Sequence, residues 1–397
     1  MKKSIAIIGG GPAAFMLASQ LQEDKFDVSI YEQNAAPGRK FLVAGDGGFN
    51  LSHSEELDDF VARYSPSDFF KPLISTFSNN DLRVWLSQIG IETFIGTSKR
   101  IFPVNGIKPI DVLNAILDEL KRTNVSLHTN HRWAGWQDEQ LSFETKSESI
   151  LVKADIIVFA LGGASWKVTG SDGSWVGPFS KKGITIVPFQ SSNCAYEIKW
   201  KSEFISAMKG QSLKNISLSS GGKSKKGEIV ITDFGLEGGA IYALSPQIRK
   251  QLNEENEALI FIDLKPTLTM QQIKDKFSAR GNRSIKKLLI DRLNLDNTQI
   301  ELLKTALTKD EFTDPELLAA RIKQLPLSVT AAAPIDEAIS TVGGIDLNEL
   351  DEHFQLKKLP NNYCIGEMLD WDAPTGGYLL QGCFSMGNYL AKHLNSL

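Results

Sequence analysis

The sequence predicts an α/β protein organised around a parallel-sheet, Rossmann-type unit, and three observations carry that expectation. Ile5 to Ile8 is an unbroken apolar run rich in β-branched residues, as expected of a strand buried on both faces of a parallel sheet. It runs directly into Gly9-Gly10-Gly11-Pro12-Ala13-Ala14, in which Gly9, Gly11 and Ala14 fill the three small positions of a dinucleotide-binding turn. A second buried-strand pattern, Ala154 to Leu161, again ends in small residues, Gly162 and Gly163. Two such strands can lie side by side and leave their C-terminal ends open to a ligand.

Each part of the first unit has a physical role. Gly9 turns the chain tightly, Gly11 lets a pyrophosphate approach the backbone, and Ala14 packs the following helix against the strand. Pro12 suits the first helical turn, where its missing N–H costs nothing. From Ala13 to Leu21 the residues are good helix formers, and Phe15, Leu17, Ala18 and Leu21 make an apolar stripe. A strand from Val28 to Tyr31 then delivers Glu32, with Gln33 beside it, about 18 residues beyond Ala14. A carboxylate there accepts hydrogen bonds from both ribose hydroxyls of an adenosine and repels a ribose that carries a phosphate. FAD and NAD share an adenosine diphosphate half, so these residues leave the choice between them open.

At 397 residues the chain is long enough for two or three domains. Its hydrophobic content of 42% is ordinary for a globular protein, and a net charge of −4 offers no general attraction to nucleic acid or an anionic membrane. Lys223, Lys225 and Lys226, flanked by glycines and serine, read as an exposed hairpin turn. Cys194, Cys364 and Cys383 are too widely spaced for a metal knuckle or a C-x-x-C redox pair, which fits a reduced, cytoplasmic setting. Lys2 and Lys3 precede an apolar run that breaks at the glycines, so the run belongs to the first strand rather than to a secretory signal. No apolar stretch approaches the roughly 20 residues that span a bilayer.

Pro37 to Asn50, with four glycines and the cations Arg39 and Lys40, is expected as a loop whose backbone passes close to a pyrophosphate or an electron-rich ring. Helices are expected over 67–77, over 80–89 with Asn79 or Asn80 as cap, and over 110–122. Short strands are expected at 125–128, 132–136 and 141–145. His128 and His131 fall at a strand end and turn, with no carboxylate or cysteine pattern for a metal. From about 188 to 266 the pattern becomes mostly β, and Asp233 and Glu237 there read better as solvated carboxylates than as acid/base groups. Residues 267–323 are helical in pattern. After Thr341-Val342-Gly343-Gly344, a short strand ends at Gly366-Glu367. A final helix from Tyr378 to Leu394 is entered through Thr375-Gly376-Gly377, offering free N–H groups and a positive dipole end to a flavin's pyrimidine edge.

Together, Gly9 to Ala14, Gly38-Arg39-Lys40, Asn50, Thr341 to Gly344, Gly366-Glu367 and Thr375 to Gln381 resemble the bacterial BaiN-like flavoproteins, over nearly the whole chain. Members are variously described as NAD(P)/FAD-dependent oxidoreductases, NAD(FAD)-utilising dehydrogenases or aminoacetone-oxidase-like enzymes. The resemblance implies FAD in a discontinuous Rossmann-type domain, 1–188 and 336–397. It also implies an inserted β-barrel-like domain, 189–266 and 324–335, that carries a helical subdomain, 267–323. By that likeness Gly9, Gly11, Pro12, Ala13 and Ala14 cradle the pyrophosphate and Glu32 holds the ribose. Lys40 and Asn50 run along the flavin side, Glu367 approaches the ribityl chain or pyrophosphate, and Gly377 with Tyr378 meets the isoalloxazine, with Gln33, Gly38, Arg39, Gly162, Gly366 and Gly376 as further cofactor-binding residues. Two departures, Gly47-Gly48-Phe49-Asn50 where the family has Gly-Gly-Arg-Cys-Asn and Thr232-Asp233 where it has Thr-His, mark a divergent branch. The expected function is an FAD-dependent oxidoreductase passing hydride between flavin N5 and a small organic substrate, with NADH or NADPH as a possible transient reductant. Lys40, Asn50, Asp372 and Tyr378 are the candidates for stabilising the reduced ring. The alternatives are a non-catalytic flavin-binding or redox-sensing protein and a nucleic-acid-modifying flavoenzyme. Neither substrate nor oligomeric state is specified.

Overall fold

The apolar run near the N-terminus becomes the strand Lys3–Ile8, central in a five-stranded parallel sheet of a computed structural model that describes residues 2–43, 48–278 and 284–397. Across the sheet the strands run Asn362–Cys364, Ile156–Phe159, Lys3–Ile8, Phe26–Tyr31 and Ser126–His128. Ile8 lies opposite both Phe159 and Tyr31, so the two neighbouring strands end level with the glycine turn. The outermost strand, Asn362–Cys364, comes from the far end of the chain, so C-terminal residues complete the N-terminal unit. Burial is near total along Ile5 to Ile8, as two covered faces require.

The first helix, Pro12–Gln20, is buried on nearly every side because the long C-terminal helix, Tyr378–Ser396, packs across it. Gly387 permits this: a Cβ there would lie 2.5 Å from Ala13 O and 2.9 Å from Leu17 N. Helix Pro109–Arg122 adds Val112, Leu113, Ile116 and Leu120 to the same core.

Two compact units divide the chain: Met1–Gln190 with Ser340–Leu397, and Ser191–Ile339. The second contains a six-stranded antiparallel sheet in the order Tyr196–Glu197, Gly235–Glu237, Lys223–Ile231, Ser212–Ser220, Ala258–Asp263, Leu325–Val329. Its ends meet, since Glu197 N–H donates to Ala331 O at 2.8 Å and Thr330 N–H donates to Glu197 O at 3.1 Å, which curls the sheet into a small barrel. Helices between Met270 and Lys323 share one hydrophobic core with it, including Ile260, Ile262, Leu289, Leu303 and Ile322.

Several local expectations need correction. Part of the 37–50 segment is a short helix, Arg39–Val43, and positions 44–47, including two of the four glycines of the expected loop, lie outside the described residues. Gly221 and Gly222 make the basic hairpin's turn, at φ 51° and 75°, and the three lysines lie on the strand Lys223–Ile231 beyond it. Ser78, rather than Asn79 or Asn80, caps Asn79–Gln88, because its side chain and that of Asp81 each accept the other's backbone N–H. The final helix is capped by Gly377 at φ 96°. Among the described residues no helix is long and apolar enough to cross a membrane.

Candidate functional site

A cleft opens at the C-terminal edge of the parallel sheet, within the first unit. Its floor is the glycine turn. Gly9, at φ 104°, brings the chain so close to the next strand that a Cβ would sit 2.3 Å from Ala160 O. At Gly11 no described residue lies within 4 Å of a Cβ position, so its backbone is open to the approach of a phosphate. No side chain caps Pro12–Gln20, leaving the helix's first N–H groups and its positive dipole end for an anion. Ala14 lies behind this turn, fully buried against the core.

Glu32 organises one end of the cleft. Its Oε2 accepts from Gly10 N–H at 2.9 Å, and its Oε1 accepts from Asn34 N–H at 2.8 Å and Asn34 Nδ2 at 2.7 Å. A carboxylate offers about four acceptor positions, so capacity remains for a ribose hydroxyl. Gln33 Nε2 donates to Gly170 O at 2.6 Å, pinning the Lys167–Ser174 segment over this end. Arg39 reaches the same place, with Nη1 donating to Asn34 Oδ1 at 2.9 Å.

The other end is built from Lys40 and Glu367. Lys40 Nζ donates to Glu367 Oε2 at 3.0 Å and to Ser165 Oγ at 2.9 Å, using two of its three donors and leaving one for a ligand oxygen. Gly366, at φ 84°, lets this segment press on the first helix, a Cβ there being 3.3 Å from Ala13 Cβ. Cys383 also lines the cleft, where burial pushes its thiol well above the ordinary range and keeps it protonated.

The walls therefore bring together Gly9, Gly11, Pro12, Ala13, Glu32, Gln33, Gly38, Arg39, Lys40, Gly162, Gly366 and Glu367. They do not include Asn50, Asp372, Gly376, Gly377 or Tyr378. Gly377 is pressed against the strand Ser52–His53, a Cβ there lying 2.5 Å from Ser52 Cα. Tyr378 donates its hydroxyl to Glu55 Oε2 at 2.7 Å and stacks on His53 with centroids 5.2 Å apart. Burial, then the Glu55 carboxylate, pushes the Tyr378 phenol well up, so it stays neutral. Burial alone would raise Glu55, but hydrogen bonds from Arg63 and Tyr378 hold its carboxyl below the ordinary value. Buried Asp372 exchanges backbone hydrogen bonds with Ser65, each 2.9 Å. Asp233 ion-pairs with Lys209 at the surface of the other unit.

The structure adds residues that sequence reasoning passed over. Gly10, Asn34, His131, Trp133, Ser171 and Trp175 also line the cleft. Only Gly10 and Asn34 carried a sequence signal, by their nearness to the glycine turn and Glu32. His128 and His131 pack with Tyr31, whose ring is 4.8 Å from that of His128. Thr341 to Gly344 has a packing role. Gly343 and Gly344, at φ 97° and 122°, would put a Cβ 2.5 Å from Pro188 O and 2.4 Å from Met368 O.

The donor set fits FAD: open backbone at Gly11, an anion-ready helix end, an acceptor at Glu32 and a spare cation donor at Lys40. Comparisons with known proteins agree. The family model described as HI0933-like protein Rossmann domain matches residues 3–393. A 3-dehydro-bile acid delta(4,6)-reductase of Clostridium scindens is 25% identical over 406 residues, covering 98% of this chain and 97% of that protein. A ribosomal RNA dihydrouridine synthase of Escherichia coli is 23% identical over 409 residues, covering 99% and 98%. The solved 3-ketosteroid-delta4-(5alpha)-dehydrogenase of Rhodococcus jostii shares the fold with a TM-score of 0.53 at 12% identity, over 98% of this chain and 96% of that one. With the family matched along almost its whole length and a cleft that fits the dinucleotide, the chain belongs to the HI0933-like Rossmann family and is an FAD-dependent oxidoreductase.

Proposed function

We propose that the protein transfers hydride between flavin N5 and a small unsaturated organic substrate, with NADH or NADPH as the transient reductant. The observation that carries this is the cleft itself, which sets a ribose acceptor, Glu32, and a cation with a free donor, Lys40, at opposite ends of one phosphate-ready glycine turn. When bound, FAD supplies the two-electron chemistry. The chain's own residues bind and orient: Gly9, Gly11, Pro12, Ala13 and Ala14 shape the pyrophosphate cradle, Glu32 and Gln33 fix the adenosine half, and Gly38, Arg39, Gly162 and Gly366 close the walls. Lys40 places positive charge where electron density gathers on reduction, and Glu367 with Ser165 fixes that ammonium in place. Asn50, Asp372, Gly376, Gly377 and Tyr378 act from outside the walls as positioning residues. The names of the two relatives both describe hydrogen added to an unsaturated compound, which supports a reductase direction.

The test is the visible spectrum of the purified protein, followed anaerobically as NADH and then NADPH is added. Flavin bands that bleach, and return when an unsaturated ketone is added, are the expected result. Bands that return only with RNA would replace the small substrate by a nucleic acid. Bands that never bleach would remove NAD(P)H, and a colourless protein that takes up no FAD would overturn the proposal.

A further inference from the structure

Two polar atoms of the cleft walls are buried with no hydrogen-bond partner among the described residues: Trp133 Nε1 and Ser171 Oγ. Both residues line the cleft, and their exposures are only 7% and 6%. Trp133 lies two residues beyond His131, whose N–H donates to Glu32 O at 2.9 Å. Ser171 follows Gly170, whose carbonyl is held by Gln33. Both residues therefore belong to segments tied to Glu32 and Gln33, and Ser171 Oγ also comes within 3.1 Å of where a Cβ on Gly162 would lie. The indole of Trp133 is fixed edge-on against Trp136 at 4.8 Å and tilted on Phe159 at 4.9 Å. Trp175, by contrast, has its partner, donating Nε1–H to Gly162 O at 3.0 Å. Leaving a buried donor or hydroxyl unpaired carries a real cost, so such atoms point to something that completes them.

We infer that Trp133 and Ser171 hydrogen-bond the adenine ring of the bound dinucleotide, so that the cleft selects its cofactor by the base as well as by ribose and phosphate. This rests on the FAD assignment above. The chemistry matches atom by atom. An indole N–H can only donate, and adenine's ring nitrogens only accept; a serine hydroxyl can accept, and the neighbouring N6 amine donates. Both are side-chain contacts, so they belong to this chain's residues rather than to the backbone pattern of the fold.

The experiment titrates the full-length apoprotein, by quenching of flavin fluorescence, with FAD and with an FAD analogue carrying unsubstituted purine in place of adenine. Wild type is expected to bind FAD about tenfold more tightly than the analogue, the value of one buried hydrogen bond. Ser171→Ala should bind the two equally, Ser171→Thr should restore the preference, and Trp133→Phe should weaken both about tenfold. The Ser171→Ala ratio reads base recognition even where overall affinity falls. FAD binding within twofold of wild type in Trp133→Phe, or a wild-type preference surviving in Ser171→Ala, would overturn the inference. Wild type that takes up neither dinucleotide would overturn the FAD assignment and this inference with it.

Discussion

Glu32 holds the glycine turn and Asn34, two residues further on, through one carboxylate, so its replacement reports on turn and ligand together. Glu32→Gln keeps the shape but turns one charged acceptor into a donor facing Gly10 N–H or Asn34. Charge-assisted hydrogen bonds contribute about 1.5–3 kcal/mol, so FAD affinity should fall by roughly 10- to 100-fold in a fluorescence titration. An unchanged dissociation constant would remove Glu32 from the site. Lys40 and Glu367 make a pair whose side chains are only 26% and 16% exposed. Lys40→Met strands the carboxylate and should cost about 1–3 kcal/mol, and adding Glu367→Gln should return part of that loss in urea unfolding. A double variant no more stable than Lys40→Met would argue that the pair is not coupled. Gly9, Gly11 and Glu32 were legible in the sequence because their roles are set by local chain geometry. Trp133 and Ser171 were not, because they meet the cleft only after a strand and a loop from elsewhere in the chain fold over it.

Between helices, contact distance decides what the sequence pattern means. Thr375-Gly376-Gly377-Tyr378 reads as a ligand-facing helix start, yet Gly377 is small because Ser52 presses on it. Gln381 lies buried, accepting from Ser52 Oγ at 2.7 Å and donating to Phe77 O at 3.2 Å. The strand and helix patterns survived translation into structure, since burial periodicity is a property of each segment alone. The purpose of these glycines was hidden because it depends on which segment arrives opposite. Gly387 gives the sharpest test at this scale. In Gly387→Ala the new methyl meets backbone on the first helix, and overpacking of this kind costs about 1–3 kcal/mol. Because the displaced helix carries the anion-ready end, FAD retention through gel filtration should fall along with the urea midpoint. Lost stability with full retention would mean that the helix start moves independently of the crossing.

For the whole molecule, burial keeps His53, His128 and His393 neutral by pulling each below its ordinary value. The unfolded chain then binds protons that the folded one refuses, so stability is fullest above about pH 6.5 and declines on acidification. Glu349, like Glu55, is held low: burial opposes this, but Lys358 and Thr185 outweigh it. A further loss should therefore follow below about pH 4.5. The urea midpoint should be lower at pH 5.5 than at pH 7.5, and a flat profile would contradict these buried histidines. The Ser191–Ile339 unit has its own core and barrel, and Ile339 N–H donates to Asn193 O at 3.3 Å, so its two ends lie together. Expressed alone it should unfold cooperatively and bind no flavin, and a non-cooperative fragment would show that it depends on the rest of the chain. The sheet strand Asn362–Cys364 and the helix that covers Pro12–Gln20 are translated after the strand and helix they complete. Until they leave the ribosome, the strand Ile156–Phe159 presents an open, fully apolar edge, the kind of surface that chaperones shield in nascent chains. The dinucleotide cradle is thus begun at its glycine turn well before the segments that finish it are synthesised.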